Sequence, residues 1–305
     1  MRAKFDVAGV EEKTAVVAEG ISIAYQRMGE MDAPVVLLIM GVAAQMIHWP
    51  NPFCTALVER GVQVIRFDNR DAGKSTHLVD APAPDLPAVL RGDLSSVSYT
   101  LSDMAADAVG LLDALGVEKA HVVGASMGGQ IAQMMAIEHS ERVRSLVSMM
   151  STTGDMAVGQ AQPEVLRELF SGPRAVTREE VVQQFVRASR LVGSPGFARD
   201  EEEIAARAGA AYDRGHDPVG TARQAIATVA SGDRTERLRG LRMPTLVIHG
   251  LADRMCDVSG GRATASAIPQ AELALIEGMG HDLAPGLRGQ LAERIAAFVW
   301  SVEGR

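Results

Sequence analysis

Short apolar runs alternate with longer amphipathic stretches along most of this 305-residue chain. Runs at Thr14–Ala18, Ile21–Gln26, Val35–Met40, Val62–Phe67, His121–Val123, Arg144–Met149, Thr245–His249 and Glu272–Ile276 have the length and bounding residues of strands. The stretches between them carry the helix period. Together they predict an α/β fold: an eight-stranded, mostly parallel sheet with helices on both faces. Only Glu19-Gly20 separates the first two runs, so these should pair as an antiparallel hairpin at the sheet edge.

The alternation breaks after the sixth strand. From Ser151 to about Leu241 the sequence is charged and helix-periodic, with turn signals at Ser171-Gly172-Pro173, Gly193-Ser194-Pro195-Gly196 and Ser231-Gly232-Asp233. The strand pattern resumes at Met243-Pro244-Thr245. We therefore expect one core, residues 1–150 and 242–305, with residues 151–241 inserted as a helical lid over the carboxyl ends of the strands, where open α/β sheets bind ligands. A second long connection, His77 to Leu101, is dense in proline and is expected to lack regular structure, running near the pocket rim.

Charge narrows the partners. A net charge of −8 with no basic stripe argues against a nucleic-acid or anionic-membrane partner. The longest apolar run, Val35–Ala44, is too short to cross a bilayer, and the N-terminal residues lack a secretory apolar stretch, so a cytoplasmic protein is expected. Two cysteines, Cys54 and Cys256, are too few for a metal cage or a disulfide framework. No metal or cofactor is expected.

The most informative local pattern is Gly124-Ala125-Ser126-Met127-Gly128-Gly129, lying between an apolar strand and a helical stretch. A serine at such a sharp strand-to-helix corner presents its hydroxyl to an approaching acyl carbon. The glycines answer to close passage of strand and helix backbones. The helix that starts there aims free amides and the positive end of its dipole at the same point.

A serine hydroxyl is a weak nucleophile at neutral pH, so an imidazole must take its proton and a carboxylate must orient the imidazole. The chain supplies both later, in the order serine, aspartate, histidine. Asp253 follows the seventh strand through Gly250-Leu251-Ala252, and His281 lies in Gly278-Met279-Gly280-His281 after the eighth. Asp155 and Asp257 are the competing acids, Asp257 expected to begin the next helix. His48, beside Trp49, is the rival base by location. His249 and His121 fall within strands, His139 at a helix end, and His77 and His216 in segments expected to be exposed. Two backbone N–H groups should converge as an oxyanion hole: Met127 N–H, just after the serine, and Val42 N–H, in the loop after the third strand. Methionines 127, 134, 135, 149, 150 and 156 near these elements suggest an adaptable apolar pocket, though core filling suits most of them.

With elbow, acid and histidine placed, the chain resembles the α/β-hydrolase superfamily over nearly its whole length. The run Asp68-Asn69-Arg70-Asp71-Ala72-Gly73-Lys74-Ser75 is similar to that family's Asp-x-Arg-Gly-x-Gly-x-Ser loop. Together with Ile47-His48-Trp49-Pro50 it resembles bacterial esterases of the aclacinomycin methylesterase type. Two positions depart: Met40-Gly41 stands where the family usually has His-Gly, and Asp71 where glycine is common. Asp68 and Arg70 read as loop-ordering residues. The resemblance implies a serine hydrolase acting on carboxylic esters of apolar small molecules through an acyl-enzyme. The same scaffold and triad also serve cofactor-free perhydrolases, carbon–carbon bond hydrolases, amino-acid ester hydrolases and iminopeptidases, and ligand receptors. A homo-oligomer is compatible with all of these.

Overall fold

The fold is described from a computed structural model, which covers residues 9–170 and 175–304. The turn expected at Ser171-Gly172-Pro173 lies outside the described residues. All eight strands form: β1 (Lys13–Ala18), β2 (Ile21–Met28), β3 (Val35–Ile39), β4 (Gln63–Phe67), β5 (Ala120–Ala125), β6 (Val143–Met149), β7 (Thr245–Gly250) and β8 (Glu272–Ile276). They make one sheet in the order β1-β2-β4-β3-β5-β6-β7-β8. The hairpin β1–β2 is antiparallel and edges the sheet, β2 meets β4 antiparallel, and every pairing from β4 to β8 is parallel. Gly20, at φ 72°, makes the tight turn between the first two strands.

Helices follow as α1 (Asn51–Glu59), α2 (Leu86–Leu90), α3 (Leu101–Ala114), α4 (Met127–Glu138), α5 (Pro163–Phe170), α6 (Arg178–Val192), α7 (Glu201–Arg214), α8 (Pro218–Ala230), α9 (Thr235–Leu238), α10 (Val258–Ala267) and α11 (Pro285–Val302). Successive strand side chains point to opposite faces, and the chain uses both. Leu37, Ile39 and Val122 pack with Met104, Leu111 and Ile131 of α3 and α4. Val36, Leu38 and Val123 pack with Phe53 and Leu57 of α1 and with Leu291 and Ile295 of α11. The result is a three-layer core. No helix among the described residues is long and apolar enough to cross a membrane.

Between β6 and β7 the chain forms α5 to α9, with Gly193–Gly196 joining α6 to α7 and Ser231–Asp233 joining α8 to α9. The proline-rich connection is not wholly irregular. Asp85 caps α2 by accepting the Ala88 N–H, and Pro87 occupies one of the first two helical positions, where its missing N–H costs nothing, so proline density here did not forbid a helix.

Chain order reverses direction at β3. The chain passes from β3 to β4 on one side and returns to β5 on the other, so the loops at the carboxyl ends of β3 and β5 flank a crevice. In open α/β sheets that crevice is where ligands are held.

Candidate active site

Ser126 sits at φ 57° and ψ −125°, a conformation that costs a serine free energy and survives only where neighbours enforce it. They do. Its N–H donates to the Met149 carbonyl at 3.0 Å, and its own carbonyl accepts from the Ser151 hydroxyl at 2.8 Å. A Cβ on Gly124 would collide with the Gly128 carbonyl, and one on Gly128 with the Ile39 carbonyl. A Cβ on Gly129 would lie 2.7 Å from the Ser151 side chain. The glycines are dictated by β5, β3 and α4 crossing without room for a methyl group.

His281 and Asp253 come to the same corner from loops after β8 and β7. The Ser126 hydroxyl lies 3.1 Å from His281 Nε2, and His281 Nδ1 lies 2.7 Å from Asp253 Oδ2. The other carboxylate oxygen of Asp253 accepts the N–H groups of Met255 at 2.9 Å and Cys256 at 2.8 Å, which fixes the carboxylate plane. With Nδ1–H committed to Asp253, the free lone pair of the ring is at Nε2, facing the serine. Burial works to lower the His281 pKa, but the charge of Asp253 and its hydrogen bond outweigh burial and hold it above the usual histidine value.

The rivals are occupied elsewhere. His48 Nδ1 accepts the Gln45 N–H at 3.0 Å, and burial pushes its pKa down to about 4, aided by the charge of Arg207. Asp257 caps α10 through the Ser259 N–H, and Asp155 accepts the Ala157 N–H in a turn after β6. His249 is fully buried, donating Nε2–H to the Cys256 carbonyl at 2.7 Å. His77 corrects the sequence reading: instead of lying exposed it is half-buried, 2.7 Å from Asp217 at the start of α8. His216 is exposed, as its segment predicts, and stacks on Tyr212. Of the six methionines, five are buried, and Met156 is exposed and so fills no core.

The loop after β3 lies against the serine. A Cβ on Gly41 would come within 2.9 Å of Ser126 Cβ, so only glycine lets the backbone pass. Neither Val42 N–H nor Met127 N–H makes a hydrogen bond among the described residues. Everything around Val42 is tied down. Asn69 donates to the Met40 carbonyl at 2.9 Å, Ala43 N–H donates to Gln224 Oε1 at 3.0 Å, and Met46 N–H donates to Asp68 at 2.6 Å. Gln45 reaches the carbonyls of Ala211 at 2.7 Å and Gly215 at 3.0 Å.

The charged loop after β4 is ordered by distant partners. Arg70 makes a bidentate pair with Asp107 of α3 at 2.6 Å, and Asp68 pairs with Arg214 at the end of α7. Asp71 replaces the family's glycine at φ 62°, a conformation aspartate tolerates better than most residues. Its carboxylate is held by Arg223 at 2.8 Å on both oxygens and by the Tyr99 hydroxyl at 2.8 Å. Asp71, His77 and Asp217 bring ligand atoms within 4.8 Å of one another. Arg223 pairs with both carboxylates, at 2.8 Å from Asp71 and 3.6 Å from Asp217, and His77 with Asp217 at 2.7 Å, so these groups form an ion-pair network.

Several residues that position this site gave no local sequence signal. Gln224 lies in α8, amid what reads as an ordinary amphipathic helix. Ser194 was legible only as part of a turn, yet its hydroxyl donates to Asp282 at 2.5 Å and accepts the Gly280 N–H at 2.9 Å. His281 N–H donates to the Val192 carbonyl at 2.7 Å.

Comparison with known proteins converges on one family. The sequence profile described as alpha/beta hydrolase fold matches residues 34–284. The rhodomycin D methylesterase of Streptomyces peucetius is 30% identical over 291 residues, covering 87% of this chain and 90% of that protein. The 2-hydroxymuconate semialdehyde hydrolase of Pseudomonas sp. strain CF600 is 32% identical over 254 residues, covering 79% and 81%. Among solved structures, the 2-hydroxy-6-oxo-6-phenylhexa-2,4-dienoate hydrolase of Rhodococcus sp. strain RHA1 superposes with a TM-score of 0.72 at 20% identity, over 97% of this chain and 99% of that one, and shares the fold.

Proposed function

This chain belongs to the α/β-hydrolase family, and from that premise we propose that it is a serine hydrolase cleaving carboxylic esters of apolar small molecules. The observation that carries the proposal is the continuous relay Ser126 Oγ to His281 Nε2 at 3.1 Å and His281 Nδ1 to Asp253 at 2.7 Å. Likeness to a methylesterase over 87% of the chain supports the ester as the bond cleaved. Ser126 Oγ attacks the ester carbonyl carbon while His281 Nε2 takes its proton. The carbonyl oxygen becomes an oxyanion that accepts hydrogen bonds from Val42 N–H and Met127 N–H. Collapse expels the alkoxide, which takes the proton back from His281 and leaves the acyl group on Ser126. A water molecule, deprotonated by His281, attacks that acyl carbon, and the second collapse returns the proton to Ser126 and frees the acid. Asp253 keeps the imidazole in the productive tautomer and stabilises the imidazolium.

In this reading residues 151–241 form the cap over the crevice, and the enzyme is cytoplasmic, with a small-molecule ester as its partner and no nucleic acid. A fluorophosphonate probe should label Ser126 stoichiometrically, and p-nitrophenyl esters of short and long acids should turn over many times. Ser126→Ala should lose roughly 10⁵-fold or more in kcat. A Ser126→Ala protein with undiminished ester turnover ends the proposal, and labelling with a single turnover points to a ligand receptor. Likeness to a semialdehyde hydrolase at 32% identity favours one second reading, cleavage of a carbon–carbon bond beside a ketone on the same residues. Turnover of a vinylogous diketone faster than of any ester would establish it.

A further inference from the structure

The oxyanion loop is shaped by a residue from the helical segment, 181 positions away in sequence. Ala43 stands at φ 62°, a left-handed conformation that alanine does not adopt unaided. Its N–H donates to Gln224 Oε1 at 3.0 Å, and the Gln224 amide nitrogen donates to the Arg70 carbonyl at 2.8 Å. Gln224 is completely buried, so its amide cannot exchange these partners for water. The neighbouring side chain, Arg223, is locked on Asp71 at 2.8 Å, which fixes the α8 turn that delivers Gln224. This fixes the Val42–Ala43 peptide, and the Ala44 N–H, donating to the Gly41 carbonyl at 3.3 Å, orients the Gly41–Val42 peptide in the same turn. The Ala43 N–H is held toward α8, and the Val42 N–H, which has no hydrogen bond among the described residues, is left free beside Gly41, whose backbone abuts Ser126.

We propose that Gln224 is a positioning residue for ester hydrolysis, holding the Ala43 N–H so that the Val42 N–H stays aimed at the oxyanion. The inference rests on the serine-hydrolase reading. A donor that is already oriented when charge develops costs no reorganisation at that moment. Without the amide, only the 3.3 Å turn bond from the Ala44 N–H to the Gly41 carbonyl holds Ala43 at positive φ, and the loop relaxes toward a conformation that turns the Val42 N–H away.

The test compares steady-state kinetics of wild type, Gln224→Met and Gln224→Glu on one p-nitrophenyl ester, with affinity for a trifluoromethyl ketone that forms a tetrahedral adduct on the serine. Gln224→Met matches the length of the side chain but cannot accept the Ala43 N–H. Its kcat should fall about 10- to 100-fold, somewhat less than the roughly 10²–10³-fold cost of removing an oxyanion donor outright, with KM within twofold. Its affinity for the ketone should fall in proportion to kcat/KM. Gln224→Glu keeps an acceptor oxygen for Ala43 but sets its second oxygen against the Arg70 carbonyl, so it should recover only part of the kcat lost by Gln224→Met. If the methionine variant does not fold, Gln224→Asn, which retracts the amide by one methylene, should show the same loss of kcat. Thr228→Val, one turn along α8 and bonded among the described residues through its hydroxyl to the Gln224 carbonyl at 3.0 Å, controls for general loosening of that helix and should keep wild-type kcat. A folded Gln224→Met or Gln224→Asn protein with wild-type kcat and ketone affinity overturns the inference while leaving the serine-hydrolase reading intact. A wild-type protein that neither turns over esters nor takes the fluorophosphonate at Ser126 removes both.

Discussion

Ser126 and His281 are the two ends of one hydrogen bond, yet opposite kinds of constraint hold them. Around Ser126 the constraint is local and steric: Gly124, Gly128 and Gly129, all within three residues of the serine, lack side chains where backbones cross or where Ser151 packs. Around His281 and Val42 it is long-range and polar. Val192 and Ser194 hold the histidine loop, Gln224 holds the oxyanion loop, and all three come from the helical segment. In the proposed mechanism the nucleophile is thus built into the sheet, whereas its base and its oxyanion donor depend on the helical segment between β6 and β7 being seated.

The sharpest way to break this contrast is at the glycines. Gly128→Ala places a methyl group against the Ile39 and Met40 carbonyls, backbone atoms that cannot swing aside. We expect at least about 3 kcal/mol of lost stability and little folded protein, measured by denaturant melts of whatever is recovered. A well-folded Gly128→Ala protein would mean that the elbow is less tightly packed than its geometry requires.

Next in size is the imidazole's own partner. Asp253→Asn keeps the shape of the site but favours the wrong imidazole tautomer, and kcat should fall about 10⁴-fold with the melting temperature changed little. The wild-type acid limb follows from the same contact. His281 must be neutral to act as base, and Asp253 holds its pKa above the ordinary 6.5. Activity should therefore fall as pH drops, with the midpoint of kcat/KM above 6.5. A midpoint well below 6 would separate Asp253 from the titrating base.

The same contrast explains what the sequence disclosed. The inner strands were legible because each buries a continuous or alternating apolar run, the edge strands β1 and β8, exposed or half-buried throughout, as short apolar runs between turn residues, and the elbow because its sterics demand glycine at fixed offsets. Asp253 and His281 were legible because each directly follows a strand through a glycine turn. The braces were not. Gln224, Ser194 and Asp282 are polar residues in amphipathic or turn sequence, and such residues look the same whether they face solvent or a buried carbonyl. The helix at Leu86–Leu90 was missed for a different reason, because proline at the first turn is compatible with a helix that it would break further in. His77 was misread as exposed because its partner, Asp217, is 140 residues away.

Ser194 tests whether long-range bracing matters to chemistry as well as to folding. Ser194→Ala strands the buried Gly280 N–H and removes the hydroxyl's bond to Asp282, leaving only the Ser194 N–H on that carboxylate, one residue on either side of His281. We expect about 1–3 kcal/mol of lost stability, together with a roughly tenfold fall in kcat and a nearly constant KM. Lost stability with unchanged kcat would make the brace purely structural and weaken the contrast drawn above.

The smallest effect concerns how the helical segment is latched at its far end. His77 Nδ1 faces Asp217 at 2.7 Å and Nε2 faces the Gly73 carbonyl at 3.0 Å, so both ring nitrogens meet acceptors and both donate. Burial opposes the charged ring, but the Gly73 carbonyl and Asp217 raise the His77 pKa above 6.5, while the Gly220 N–H and His77 overcome burial to lower that of Asp217 below 3.8. The signs set a window. A raised histidine pKa stabilises the fold fully below 6.5 and loses that contribution as pH rises through the folded value. A lowered aspartate pKa stabilises the fold above 3.8 and loses its contribution as pH falls through the folded value. The latch should be strongest between these limits. His77→Gln should then cost about 1 kcal/mol at pH 5.5, seen as a fall of roughly 2 °C in melting temperature, and distinctly less at pH 9. An equal cost at both pH values would show that the imidazole contributes by packing alone, leaving the far end of the segment seated by Arg223 on Asp71, whose charges do not titrate in that range.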